Sequence, residues 1–485
     1  MKENWFPTLT IALLSTIVAF HFWYRKRLRA SVKQNNPQVS ISNYGKIFPP
    51  SRRHVLLEIL GERSVEKVPV DLLQKNLLPT SRSCDLYHDG AKYTPTGVSM
   101  VEIKSIGDFP PYDVLSGVPL PQAYDIFDAT NALPRPYRPF RWAYHQTMRK
   151  SNSKLHLCNT NKPALSKMEP DWWLEVDNSY ISRITERKNI FKEHGKNVLD
   201  YLPGSEQACK EIMEMCLQIY CSRYPAYFSL SADKTTFCNE LLKETTEIKS
   251  MHPLLVILNN VPEDFAIVLR NKNDGMYYFR AGVICSSVGW HLGTKIGKQL
   301  RDIHQPVPNY KDKMSHSMDR YFSKMPTNGP IQRGSWEFSV GKSLFVPPGH
   351  SHETFSKSQI KSLRVEDCYL RVHWQALRRA PLSGGIVFNF KTLFTPIEEF
   401  RDEPYIPALL LRIIKEGKRS LIEYKKAWHV EHVCIPKLEQ FANEQLARRL
   451  VPSEILDQDV WNVETLEESP YFPGWEEKWH RKQGF

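Results

Sequence analysis

The spacing of apolar residues changes character along the chain. Residues 168–202 recur with helical period, and so do residues 203–228. Ser205 stands where a helix N-cap belongs, and Ile212, Cys216, Ile219 and Tyr220 fall on one helical face. From residue 263 the period shortens. The stretch EDFAIVLRNKNDGMYYFRAGVICSS (263–287) sets two apolar runs around Asn273, Asp274 and Gly275, which predicts a hairpin. Further strands are expected at 335–340, 363–377 and 385–396, the last two joined by RRAPLSGG into a second hairpin. Helices are expected over 290–304 and within 405–450. Residues 30–140 show no sustained period and many prolines (IFPPSRR, DFPPYD, NALPRPYRPFRW), which reads as a tether wrapping a domain. The sum is an α+β fold: an antiparallel sheet of about four or five strands with helices around it.

Composition supports a real core, with 41% hydrophobic residues, 12 Trp, 21 Tyr and 23 Phe. The net charge of +12 is spread among 53 acidic residues rather than gathered into a stripe. That argues against nucleic-acid binding and suits an anionic membrane surface or an acidic redox partner. Nine cysteines without a C-x-x-C pair read as thiols in a reducing compartment.

Residues 5–24 carry no formal charge. At about 1.5 Å per residue such a helix spans the ~30 Å hydrocarbon layer. Trp5, Trp23 and Tyr24 stand at its ends, and Arg25, Lys26, Arg27 and Arg29 follow it. This predicts an uncleaved single-pass anchor in the endoplasmic reticulum, lipid-embedded, with the domain in the cytosol. A signal peptide would carry its positive charges before the apolar run and a small-residue cleavage site after it. Neither is present.

Phosphate-loop, nucleophile-elbow and dinucleotide patterns are missing from the chain. His350 and His352, with Glu353, are a weak metal pattern in a Pro-Pro-Gly loop, because Glu353 alternates to the other face of a strand. In GWHLGTKIGKQLRDIHQPVP, Leu292, Ile296, Leu300 and His304 follow at intervals of four, and Pro306 ends the helix near His304. That histidine reads as a helix cap, an axial ligand for haem iron, or a base. In LRVHWQALRRAPLSGG, His373 and Gln375 share a strand face with Arg371 and Leu377, while Trp374 faces away. Arg378 and Arg379 are expected at the following turn, as a solvated pair or as anchors for carboxylates.

Several ordered motifs carry a family resemblance: DWWLEVDNSYISRITERKNIFKEHG, LPGSEQACKEI, EDFAIVLR, AGVICSSVGWHLGTKIGKQLRDIHQPVP, SMDRYF and HWQALRRAPLSGGIVF. Over roughly residues 140–430 the chain resembles the haem-dependent oxidative N-demethylases, including their fungal HRQ branch of natural-product clusters. The resemblance implies a PAS-like haem domain over 141–430, after an anchor (1–29) and a tether (30–140), with a C-terminal extension (431–485). It implies a monooxygenase or oxidative demethylase acting on a small organic substrate. Electrons would come from NADPH through a separate reductase, a membrane-bound one beside the anchor. Its place at the helix end, reinforced by the resemblance, makes His304 the expected iron ligand, and on the same reading Arg320, Arg378 and Arg379 are cofactor-binding residues and His373 and Gln375 catalytic ones. The namesake His-Arg-Gln stands here as His373-Trp374-Gln375. The competing expectation is a PAS-like haem or small-ligand sensor without turnover.

Overall fold

The structure is a computed structural model that describes residues 99–124, 126–140, 165–271, 273–307, 315–352, 357–417, 419–451 and 470–485. The expected anchor, with most of the tether, lies outside the described residues. Among those described, no helix is long and apolar enough to cross a membrane.

The described strands are β1 (Ser166–Lys167), β2 (Leu199–Tyr201), β3 (Phe228–Leu230), β4 (Thr236–Asn239), β5 (Glu244–Glu247), β6 (Asp264–Arg270), β7 (Tyr277–Val283), β8 (Ile331–Val340), β9 (Cys368–Arg379) and β10 (Ile386–Pro396). Seven of them form one antiparallel sheet in the order β1-β8-β9-β10-β6-β7-β2, and β3-β4-β5 form a small second one. The sheet is therefore wider than the four or five strands expected, because β1 and β2 are too short to show a period. Both hairpins form as expected. Between β6 and β7 the Asp274 carboxylate accepts from Met276 N–H at 2.9 Å, and Gly275 takes φ +70°, which suits a residue without a Cβ.

The two faces of the sheet have different fates. Cys368, Leu370, Val372, Trp374 and Ala376 of β9 point into the main core. That face is covered by the buried helix Glu206–Arg223, by residues 129–140 and by the C-terminal helix Trp475–Lys482. The part of the presumed tether that is described thus packs as core, with Phe109, Tyr112, Leu115, Tyr137 and Phe140 all buried. It crosses β8 at Gly334, where an added Cβ would stand 2.4 Å from the Tyr137 ring and 2.5 Å from Pro139. Only glycine permits that crossing. The Arg138–Glu403 pair, at 2.7 Å and buried on both sides, ties the strap to the helical C-terminal region.

The opposite face carries a smaller apolar cluster of Val268, Phe279, Leu292, Leu300, Phe322, Met325, Leu377, Ile386 and Phe388. Here the expected helix over 290–304 is corrected. The segment forms a short 3-10 turn, Leu292–Thr294, and a single helical turn, Leu300–Ile303. Its middle pairs with β7 instead, through Gly297 N–H to the Phe279 carbonyl (2.8 Å) and Phe279 N–H to the Lys298 carbonyl (3.0 Å). Gly297, at φ +80°, breaks the helix and allows this.

Candidate functional site

Because side chains alternate along a strand, register decides what meets His373. On β9, Arg371, His373 and Gln375 share the face opposite the main core, as the alternation predicted. Across β8 their partners are Glu337, Ser335 and Arg333. Across β10 they are Phe394, Thr392 and Phe390. The helix Tyr180–His194 closes one end of this face, where Arg187 pairs with Asp264 at the start of β6. The helix Ser315–Lys324 closes the other, with Phe322 and Met325 packed in the smaller cluster. Between them His373, Gln375, Arg333, Ser335 and Phe390 remain half-buried, as the floor of a groove. A small cleft of about 30 Å³ adjoins it, lined in part by Glu337, Arg371, Ser343, His352 and His429.

Arg371 organises the floor. It is fully buried and donates to the carbonyls of Ser286 (2.6 Å), Ser343 (2.9 Å) and Leu344 (2.8 Å). Its Nε donates to His373 Nε2 at 2.9 Å. An arginine N–H only donates, so Nε2 is the acceptor and the His373 proton sits on Nδ1. Burial, and after it the charges of Arg371, Lys425 and Arg183, hold the His373 pKa well below its ordinary value. His373 is therefore a neutral ring that presents an N–H donor. The Gln375 amide makes no hydrogen bond to any described residue, and the buried Thr392 hydroxyl has no partner among them either.

His304 caps the turn Leu300–Ile303. Its Nδ1 lies 2.7 Å from the Leu300 carbonyl. A carbonyl only accepts, so Nδ1 carries the proton and Nε2 carries the lone pair. Burial lowers its pKa to about 4, against the helping carbonyl and with Arg333 and Lys295 adding to the fall. The ring is thus neutral at pH 7 and lies within electrostatic reach of Arg333 on the groove floor. Arg301 pairs with Asp319 at 2.7 Å, which ties this turn to the helix Ser315–Lys324.

The three other arginines named from sequence do not converge here. Arg320 is exposed on its helix. Arg378 and Arg379 end β9 and are buried, rather than a solvated pair at the turn, and neighbours on a strand face opposite ways. Arg378 lies 4.5 Å from the Trp173 ring centre and donates to the Ser116 carbonyl at 2.8 Å. Arg379 donates to the carbonyls of Met325 (2.8 Å), Gly384 (3.0 Å) and Phe322, holding the end of a helix where carbonyls lack partners. His352 lies 3.0 Å from the Ser343 hydroxyl and 5.2 Å, ring to ring, from His350. Among the described residues no three metal-ligating side chains gather, and Glu353 lies outside them.

Two residues of the groove escaped the sequence reading. Arg333 was missed because the strand was expected only from residue 335, whereas β8 begins at Ile331 and Arg333, Ser335 and Glu337 alternate along it. Lys425 carries no local signal: it comes from the turn after the helix Arg419–Tyr424, and its Nζ lies 3.3 Å from the Ser335 hydroxyl.

A comparison with curated proteins gives no match. The family model described as haem-dependent oxidative N-demethylase, alpha subunit-like, matches residues 164–435. That span runs from β1 to the helix Glu431–Ala447, takes in every groove residue above and is more than half of the 485 residues. The chain belongs to the haem-dependent oxidative N-demethylase alpha-subunit-like family.

Proposed function

We propose that this chain is a haem-dependent oxidoreductase of the monooxygenase or oxidative-demethylase type, in which His304 would hold the haem iron. The residues of the groove fit the group. His304 is neutral, its Nδ1 proton is engaged by Leu300, and its lone pair is on Nε2, the state in which an imidazole ligates iron. Arg333, within electrostatic reach of His304, has a buried Nε without a partner among the described residues, as an anchor for an anionic group would. Phe390 and Phe394 supply apolar floor. The His304–Leu300 contact is the observation that carries the reading.

When bound, haem supplies the redox chemistry, with O2 as oxidant and electrons from NADPH passed by a separate reductase. The chain's own residues bind and orient. His373 donates through Nδ1 and is held in that role by Arg371, so it positions a hydrogen-bond acceptor of the substrate rather than removing a proton. Gln375, two residues on, offers an amide that donates and accepts. Arg371, by tying down Ser286, Ser343 and Leu344, fixes the segments beside the adjoining cleft, which Ser343 lines.

The domain belongs, on this reading, to a PAS-like architecture, carried on the cytosolic side of a membrane by residues 5–24. The HRQ resemblance supports a substrate from natural-product biosynthesis. The test is the visible spectrum of the purified chain. Wild type should show a Soret band, and His304→Ala should lose it or regain it only with added imidazole. A native spectrum in His304→Ala would remove the assignment. A haem spectrum without substrate-dependent NADPH consumption would favour a sensor.

A further inference from the structure

We propose that Arg333, Lys425 and Ser335 form a carboxylate-binding subsite on the groove floor. The inference rests on this face being the ligand site, and not on the ligand being haem. Arg333 and Ser335 stand two apart on β8 and so share the groove face. Above residue 332 this strand has no partner on its outer side in β1, whose pairing stops at Gln332. The chain after Arg419–Tyr424 fills that place, with the Lys425 carbonyl accepting from Phe338 N–H at 3.2 Å. This brings the Lys425 side chain over the Ser335 hydroxyl (3.3 Å) and the Trp336 ring (5.2 Å).

Charge decides the argument. Half-buried cations in a protein are ordinarily answered by carboxylates. Here Arg371 is answered by Glu337 at 3.5 Å, and Arg187 by Asp264. Arg333 and Lys425 have no carboxylate within ion-pair distance among the described residues. Glu337, the acid whose charge reaches Lys425, is already held by Arg371. Burial first, and the Arg333 guanidinium after it, lower the Lys425 pKa to about 8, with Glu337 opposing. Two cations and a hydroxyl on one wall, with neutral donors at His373 and Gln375 beside them, match a carboxylate. Two sources carry that group: the propionates of haem, or a substrate that joins a carboxylate to its amine.

The test uses the full chain as wild type, Arg333→Gln, Lys425→Met and Arg333→Lys. In one arm, haem-free protein is titrated with haem and with haem dimethyl ester, followed at the Soret band. In the other, calorimetry compares N,N-dimethylglycine with dimethylamine. If propionates are the ligand, wild type prefers haem to its diester by about tenfold or more, and Arg333→Gln and Lys425→Met abolish the preference. If the substrate supplies the carboxylate, the same loss appears between dimethylglycine and dimethylamine while haem binding is unchanged. In both cases Arg333→Lys retains the preference, and ligand-free Arg333→Gln melts no lower than wild type because it relieves repulsion. No discrimination in either arm, beyond about twofold, overturns the subsite. So does a fall in melting temperature and binding in every variant, Arg333→Lys included, which would mark a packing role. Absence of a Soret band in wild type would instead defeat the haem reading, and the calorimetric arm then decides the subsite alone.

Discussion

Glu263 immediately precedes β6, is fully buried, and neither of its carboxylate oxygens accepts a hydrogen bond from a described residue. Its nearest cation, the Lys391 ammonium, is 3.9 Å away and lies closer, at 2.8 Å, to Asp177. Burial therefore dominates and pushes its pKa up from 4.5 to about 7, with Lys391 opposing and Asp177 assisting. The folded chain holds this proton more tightly than the unfolded chain. Below about pH 4.5 both states are protonated and nothing is lost. As pH rises towards about 7 the unfolded state ionises first, so stability falls, and above that the loss is constant. A shift of this size corresponds to about 3 kcal/mol. Glu263→Gln keeps the shape and removes the charge, leaving Lys391 paired with Asp177. It should stabilise the protein by about 3 kcal/mol at pH 8 and leave it nearly unchanged at pH 4.5. Urea unfolding followed by tryptophan fluorescence at several pH values measures both. A shallower slope should persist in the variant, because burial raises Glu211 to about 7 as well, while Leu382 and Ser383 N–H groups oppose the rise. Equal or lower stability of the variant at pH 8 would refute the reasoning, and would mean that Lys391 holds Glu263 ionised.

Asp264→Ala removes the partner of buried Arg187 and the acceptor of Cys285 N–H (2.9 Å) and Ser286 N–H (2.8 Å). It should cost about 3–5 kcal/mol in urea unfolding, and a loss below about 1 kcal/mol would show that Arg187 finds another partner. His373→Leu removes the N–H donor from the groove floor while leaving His304 and its Leu300 contact in place. Turnover should fall about tenfold or more with haem content near wild type, and loss of haem with turnover per haem preserved would place His373 at the cofactor instead.

What the sequence determined is what depends on neighbours along the chain. A period of two fixes which side chains share a face, so Arg371, His373 and Gln375 were legible as one row before any strand partner was known. Asp274 and Gly275 specify a turn by their own backbone preferences, and the β6–β7 hairpin follows. What the tertiary structure decided is what depends on competition between distant segments. Leu292, Ile296, Leu300 and His304 carry a helical period, yet the edge of β7 offered hydrogen bonds that Gly297 was free to take. Only the last turn, with its His304 contact to Leu300, stayed helical. Arg378 and Arg379 read as a turn pair because all their acceptors but Gly384, among them Ser116, Phe322 and Met325, are distant in sequence. Arg333 and Lys425 meet for the same reason in reverse. Ninety-two positions separate them, and only the pairing of the 425 backbone with β8 brings two unanswered cations over one serine.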